Sequence, residues 1–248
     1  MDFSYSRLST YRRCAQQYNW HYVQKIESEK FKKINTLRGL MLHEFAEDQE
    51  LNPDLSFVTA IQNFELNNDS RLPREEKEKM KLGADRIKKL FEEYIKPKQD
   101  KGYQLFVEQE FVLDFHGHQY IAKLDVILLK RGSAIIIDYK TGQSTKMEYY
   151  KEQMALYKMA LSESYTIPDE DISTYICFLL LPEGNRTLKS FLKEAKVSHK
   201  EYIGYQTQAL ATLTEIETTP KTMACLNRMC GYCEYRKMCD LAIICNIK

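Results

Sequence analysis

The chain has 248 residues, 44% of them apolar and 29% charged, with a formal net charge of +1. That length buries a sizeable core, and the composition excludes a disordered or collagen-like chain. The near-neutral total hides an asymmetry: residues 1–38 carry +5 and residues 221–248 carry +3, so the middle is acidic at −7. A basic surface would form if the two ends met. The opening MDFSYSR has no charged-then-apolar leader pattern, and the longest apolar runs, such as ICFLLL, are too short to span a bilayer. The expectation is a cytoplasmic protein with no membrane partner, in which seven cysteines read as metal ligands before disulfides.

In chain order, FSYSRLSTYRRCAQQYNWHYV places Leu8, Tyr11, Ala15 and Tyr18 at helical spacing. Residues 37–50 form a second amphipathic helix carrying His43, and residues 72–97 a long one with mixed charge. Strand patterns follow at about 103–114, 118–130 and 134–140, with FHGH as the turn between the first two. STKMEYYKEQMALYKMALSES returns to helix. STYICFLLLP and RTLKSFL read as strands, and residues 198–217 as helix. This order implies an α/β fold with a mixed sheet flanked by helices.

Four local signals stand out. GLMLH sets Gly39 and His43 one helical turn apart, and AKLDVILL puts Asp125 inside an apolar strand. In AIIIDYKTG, Asp138 and Lys140 are two apart on a strand and so share a face where a buried strand ends. In QMALY, Gln153 and Tyr157 share a helix face at i, i+4. Each has an ordinary structural explanation; charged groups at a buried strand end must be paired or coordinated in any case. Hard carboxylate oxygens beside a lysine suit a divalent cation that activates water, with the lysine pKa lowered.

G-x-x-x-H, a strand Asp, D/E-x-K and Q-x-x-x-Y, in that order, resemble the RecB-like branch of the PD-(D/E)XK nucleases, and FSYSRLSTYRRC is similar to that branch's S-x-S-x-L…Y…C entry. The resemblance runs from about residue 3 to residue 240. It implies a restriction-endonuclease-like core with a helical lobe, in a single domain over 1–248: a mostly helical stretch over 1–100, a nuclease core over 101–195, and a C-terminal helix and cysteine segment over 196–248. It implies cleavage of DNA with Mg²⁺ or Mn²⁺. Lys140, Asp138 and Asp125 would be catalytic. His43, Asp125, Asp138 and the Tyr139 backbone carbonyl would ligate the metal, and Gln153 and Tyr157 would hold the DNA. Glu110, on the strand before Asp125, is a possible auxiliary acid, with a structural role favoured.

MCGYCEYRKMCD spaces Cys230, Cys233 and Cys239 as C-x₂-C-x₅-C, which suits zinc or an iron–sulfur cluster. The cluster-bearing RecB-like subset adds one N-terminal cysteine, here Cys14, although Ala15 replaces its usual proline. That resemblance implies a 4Fe–4S centre on Cys14, Cys230, Cys233 and Cys239, with zinc as the alternative. Cys225, which makes C-x₄-C-x₂-C, is a competing local fourth ligand. Cys14 is favoured because it ties the two basic ends, leaving Cys225 without a role and Cys245 as a packing residue. Arg12 and Arg13, among Tyr11, Tyr18, Trp20 and Tyr22, suggest a single-stranded DNA groove, with at least half of these aromatics expected in the core. The stand-alone CRISPR-associated RecB-like exonucleases and their phage relatives are the nearest pattern. They imply DNA ends as substrate and a CRISPR integrase complex as partner. A DNA-selecting adaptor and a redox protein are the alternatives.

Overall fold

A computed structural model of the protein describes residues 1–27, 34–68, 71–142, 144–182, 184, 187–218 and 223–245. The chain forms two compact units: one from residues 34–111 and 122–202, the other from 1–33, 112–121 and 203–248. Strand hydrogen bonding runs in the order β1-β3-β4-β5-β6, with β2 paired to β3, a six-stranded mixed sheet.

The larger unit holds most of the sheet. Strands β2 (Gln104–Phe115) and β3 (His118–Lys130) are followed by β4 (Ser133–Lys140), β5 (Ile172–Phe178) and the short β6 (Leu192–Glu194). β3 and β4 pair antiparallel from Lys130↔Ser133 to Val126↔Ile137, and β4 pairs parallel with β5 from Ala134↔Ile172 to Lys140↔Phe178. Because β4 is central, its run Ala134–Ile137 is buried on both faces, with Ile136 and Ile137 wholly inaccessible. Each such side chain contributes about 1.5–3 kcal/mol relative to exposure. Helix α7 (Glu148–Tyr165) makes the crossover from β4 to β5, with Met154–Leu161 buried throughout. It ends in a left-handed Thr166.

Helices α3 (Ile34–Leu51), α4 (Phe57–Asn67) and α5 (Arg74–Leu90) complete this unit. The sequence pattern extends α5 as a single helix through residue 97; instead a π-helical turn over Phe91–Ile95 leads into the short α6 (Lys96–Gln99). RTLKSFL is the other departure. Its described residues start at Thr187, whose carbonyl accepts the Ser190 N–H, winding Leu188–Phe191 into a one-turn helix, α8. Only then does the chain extend into β6, which pairs with β5 through Tyr175↔Glu194.

In the smaller unit, α1 (Tyr5–Arg13) is capped by the Ser4 hydroxyl accepting the Arg7 N–H. The chain kinks at Cys14 into α2 (Ala15–Tyr18) and a π turn, Asn19–Val23. β1 (Asp2–Phe3) pairs parallel with Gln119 and Tyr120 of β3. The β2–β3 turn holds His116 and Gly117 both at positive φ, 53° and 81°, the signature of a tight hairpin turn. Helix α9 (His199–Thr218) supplies Ile216 to a cluster of Tyr11, Ala15 and Tyr18, and a last short helix α10 spans Asp240–Ile244. No helix among the described residues is long and apolar enough to cross a membrane.

Candidate active site and cysteine centre

At the end of β4 the ladder with β3 stops at Val126↔Ile137, and the next backbone donor is taken by a side chain: Tyr139 N–H donates to Asp125 Oδ2 at 2.6 Å. Asp125 and Asp138 thereby lie together, both almost fully buried. Burial, then the neighbouring Asp138 charge, push the Asp125 carboxyl up to about 7.

Lys140 closes one side. Its Nζ lies 2.6 Å from Asp138 Oδ2 and donates to Gln153 Oε1 at 3.1 Å, with the Tyr150 ring centroid 5.8 Å away. Gln153 Nε2 in turn faces Asp138 Oδ1 at 3.2 Å and the Tyr157 hydroxyl at 2.8 Å. Gln153 is therefore a hub that fixes the carboxylate and the ammonium together. Burial pushes the Lys140 pKa down, but the Asp138 charge and hydrogen bond outweigh it, so in the metal-free protein it is raised.

His43 closes the other side from α3. Its Nδ1 lies 3.1 Å from Glu108 Oε1 and 3.4 Å from Asp125 Oδ1, and its ring meets Tyr139 edge-on. Burial would lower its pKa, but the Glu108 hydrogen bond and the surrounding carboxylates raise it. His43, Glu108 and Asp125 each bring a ligand atom within 4.8 Å of the others, a donor set that fits one hard divalent cation. Glu108 is the residue that sequence reasoning passes over in favour of Glu110. It stands mid-strand at φ +52°, a left-handed conformation no β-strand pattern announces, and Lys123 Nζ holds its other oxygen at 2.7 Å. Glu110 is exposed.

The structure thus gathers His43, Asp125, Asp138, Lys140, Gln153 and Tyr157 in the larger unit. Arg12 and Arg13 belong to the smaller one. Arg12 Nε donates to Thr212 Oγ1 and its Nη2 to Gln208 O, while Arg13 reaches Gln17 and Thr10. Tyr11 and Tyr18 are core, and Tyr22 packs against them beneath Arg7. Trp20 packs on Tyr235.

Within the smaller unit one cavity is lined by Cys14, Cys225, Cys230, Cys233 and Cys239, with Trp20 in its wall. Backbone N–H groups point at the sulfurs: Asn227 N–H donates to Cys230 Sγ at 3.3 Å, and Tyr235 N–H serves Cys233. Such donors favour ligating thiolates. Five thiols around one cavity are a donor set that suits zinc or an iron–sulfur centre. Cys225, expected to have no role, stands in this cavity; Cys245 is exposed rather than packed, and Cys177 is buried in β5.

A protein of solved structure, a provisionally named exonuclease from Eubacterium rectale, superposes with a TM-score of 0.56 over 97% of this chain and 86% of its own, at 12% identity. An ATP-dependent helicase/nuclease polypeptide of Streptococcus mutans is 28% identical over 170 residues, 61% of this chain and 13% of that far longer protein. The sequence profile of the PD-(D/E)XK nuclease superfamily matches residues 2–240, and the chain belongs to that superfamily.

Proposed function

We propose that this nuclease degrades DNA from single-stranded ends, using Mg²⁺ or Mn²⁺ in the larger unit and a structural 4Fe–4S centre in the smaller one. The observation that carries the reading is the joint placement of Lys140 on Asp138 and Gln153, beside the His43–Glu108–Asp125 donor set. His43, Asp125 and Asp138, with the Tyr139 carbonyl, would hold the cation, and Glu108 joins them on geometry. A cation held there would supply a nucleophilic water at neutral pH and neutralise charge on the phosphate. Asp125 must lose its proton for this, which the divalent charge favours. Lys140, as a cation held at the site's edge, orients the incoming water and meets the phosphate charge. Gln153 holds Lys140 in place, and with Tyr157 it contacts the strand. The four thiols Cys14, Cys230, Cys233 and Cys239 pin the first helix to the C-terminal segment. The motif order of the RecB-like exonucleases supports end-directed cutting and makes a CRISPR integrase complex the partner to test.

The test uses end-labelled linear single-stranded DNA, its duplex and a closed single-stranded circle, with Mn²⁺ or EDTA. The linear strand should be shortened progressively with Mn²⁺ and survive in EDTA, and the circle should resist. Lys140→Ala and Asp138→Ala should abolish cleavage while the circular-dichroism spectrum is kept. A cut circle overturns the exonuclease reading; full activity in either variant overturns the site.

A further inference from the structure

Five thiols line a centre that four complete, and the surplus has a definite location. Cys225 and Cys14 both line the cavity, and the Cys225 side chain is held against the backbone that leads into Cys14. The Cys225 Sγ–H donates at 3.0 Å to the carbonyl of Arg13, the residue directly before Cys14. Asn227 locks that approach: its Nδ2 donates to the same Arg13 carbonyl at 3.1 Å and to Cys225 O at 3.2 Å. Cys230 Sγ in turn reaches Cys225 O at 3.7 Å. The turn carrying Cys225 is thus docked against the backbone that leads into Cys14 and against Cys230.

We propose that Cys225 is a fifth ligand thiol of this centre, alternating with Cys14 at one iron so that either residue completes the set with Cys230, Cys233 and Cys239. The proposal rests on the iron–sulfur reading above. Each iron of such a centre accepts one protein thiolate, so two thiols that reach the same iron would compete rather than add. Exchange is neutral in electrons: one iron–sulfur bond replaces another, and the incoming thiol's proton passes to the outgoing one. The two ligand sets differ in what they hold together. With Cys14 bound, the centre ties the first helix to the C-terminal segment across more than two hundred residues. With Cys225 bound, all ligands lie within residues 225–239, a short local loop, and the centre persists without that tie. Cys225 is exposed, so it can enter or leave the centre without opening the core.

The test is anaerobic reconstitution of the whole chain with ferrous iron and sulfide, followed by iron, acid-labile sulfide and visible absorbance per chain. Cys14→Ser and Cys225→Ser should each retain most of the wild-type iron, and the double variant should lose it. Loss in Cys14→Ser alone, loss in Cys225→Ser alone, or retention in the double variant overturns the alternation. A second measurement needs no substitution. Iron-loaded wild type is alkylated with iodoacetamide and mapped by mass spectrometry, with exposed Cys245 as the fully labelled control. Cys14 and Cys225 should each be partly labelled while Cys230, Cys233 and Cys239 are protected. Full protection of one of the pair with full labelling of the other overturns the proposal. Wild type that takes up no iron is a separate result: it overturns the cluster reading itself, and the alternation with it.

Discussion

Removing the charge from Asp125 should remove the pH dependence it imposes on the metal-free protein. Its carboxyl is pushed up to about 7 from an ordinary 3.8, by burial first and the Asp138 charge second. The unfolded chain leaves this aspartate near its ordinary value. Between about pH 4 and 7 the native state therefore holds a proton that the unfolded state has released, and stability falls as pH rises through that window. Roughly three units at about 1.4 kcal/mol each set an upper bound of about 4 kcal/mol, in full above about pH 7. His43 acts in the same direction: its raised pKa stabilises below its ordinary 6.5, and that contribution is lost as pH rises through the folded value. Asp125→Asn keeps an oxygen to accept the Tyr139 N–H but carries no charge. In EDTA the variant should match wild type near pH 4 and exceed its stability by up to about 4 kcal/mol near pH 8. Saturating Mn²⁺ should reverse the order near pH 8, because only wild type gains a charged ligand. Urea unfolding followed by circular dichroism measures both. Curves that stay parallel across pH in EDTA would refute the charge assignment.

Three further outcomes follow from the same geometry. Glu108→Gln should weaken Mn²⁺ binding by about 10–100-fold in calorimetric titration, whereas Glu110→Gln should leave it unchanged. Arg86 is buried in the larger unit and donates to the carbonyls of Leu179 at 2.8 Å and Pro182 at 3.2 Å, while Leu179 N–H donates to Lys140 O at 2.9 Å. Arg86→Ala should cost about 3 kcal/mol in urea unfolding, by stranding those carbonyls, and lower the cleavage rate through Lys140. Ca²⁺ should protect against thermal unfolding without supporting cleavage, since its looser coordination positions water poorly; turnover in Ca²⁺ alone would contradict this.

The chemistry of the site is legible wherever a charge interrupts an apolar period. Asp125 within AKLDVILL and Asp138 after AIII break strands that are otherwise wholly buried, and burial makes such exceptions expensive enough to need a partner. Gln153 and Tyr157 can be placed from helix spacing alone. Glu108 cannot. Glu108 and Glu110 have the same parity on β2, so an ideal strand would present them alike; only the left-handed backbone at Glu108 distinguishes them, and no local residue type announces it. Helix α4 escapes the pattern because FVTAIQNFELN mixes β-branched and aromatic residues, and its stability comes from burying Ala60, Ile61 and Phe64. The same limit governs the cysteines. Spacing along the chain finds Cys230, Cys233 and Cys239, because a metal loop is a local object. It can only set Cys14 and Cys225 against each other as rivals, since a contact across two hundred residues leaves no periodic trace. The fold puts both in the wall of one cavity, with Cys225 hydrogen-bonded to the Arg13 carbonyl, and the alternation proposed above would turn the rivalry into a competition. Loop closure would then favour Cys225 in a loosened chain, and in the folded unit, where α1 and the C-terminal segment are already joined through the Arg13 carbonyl, that entropic advantage would disappear.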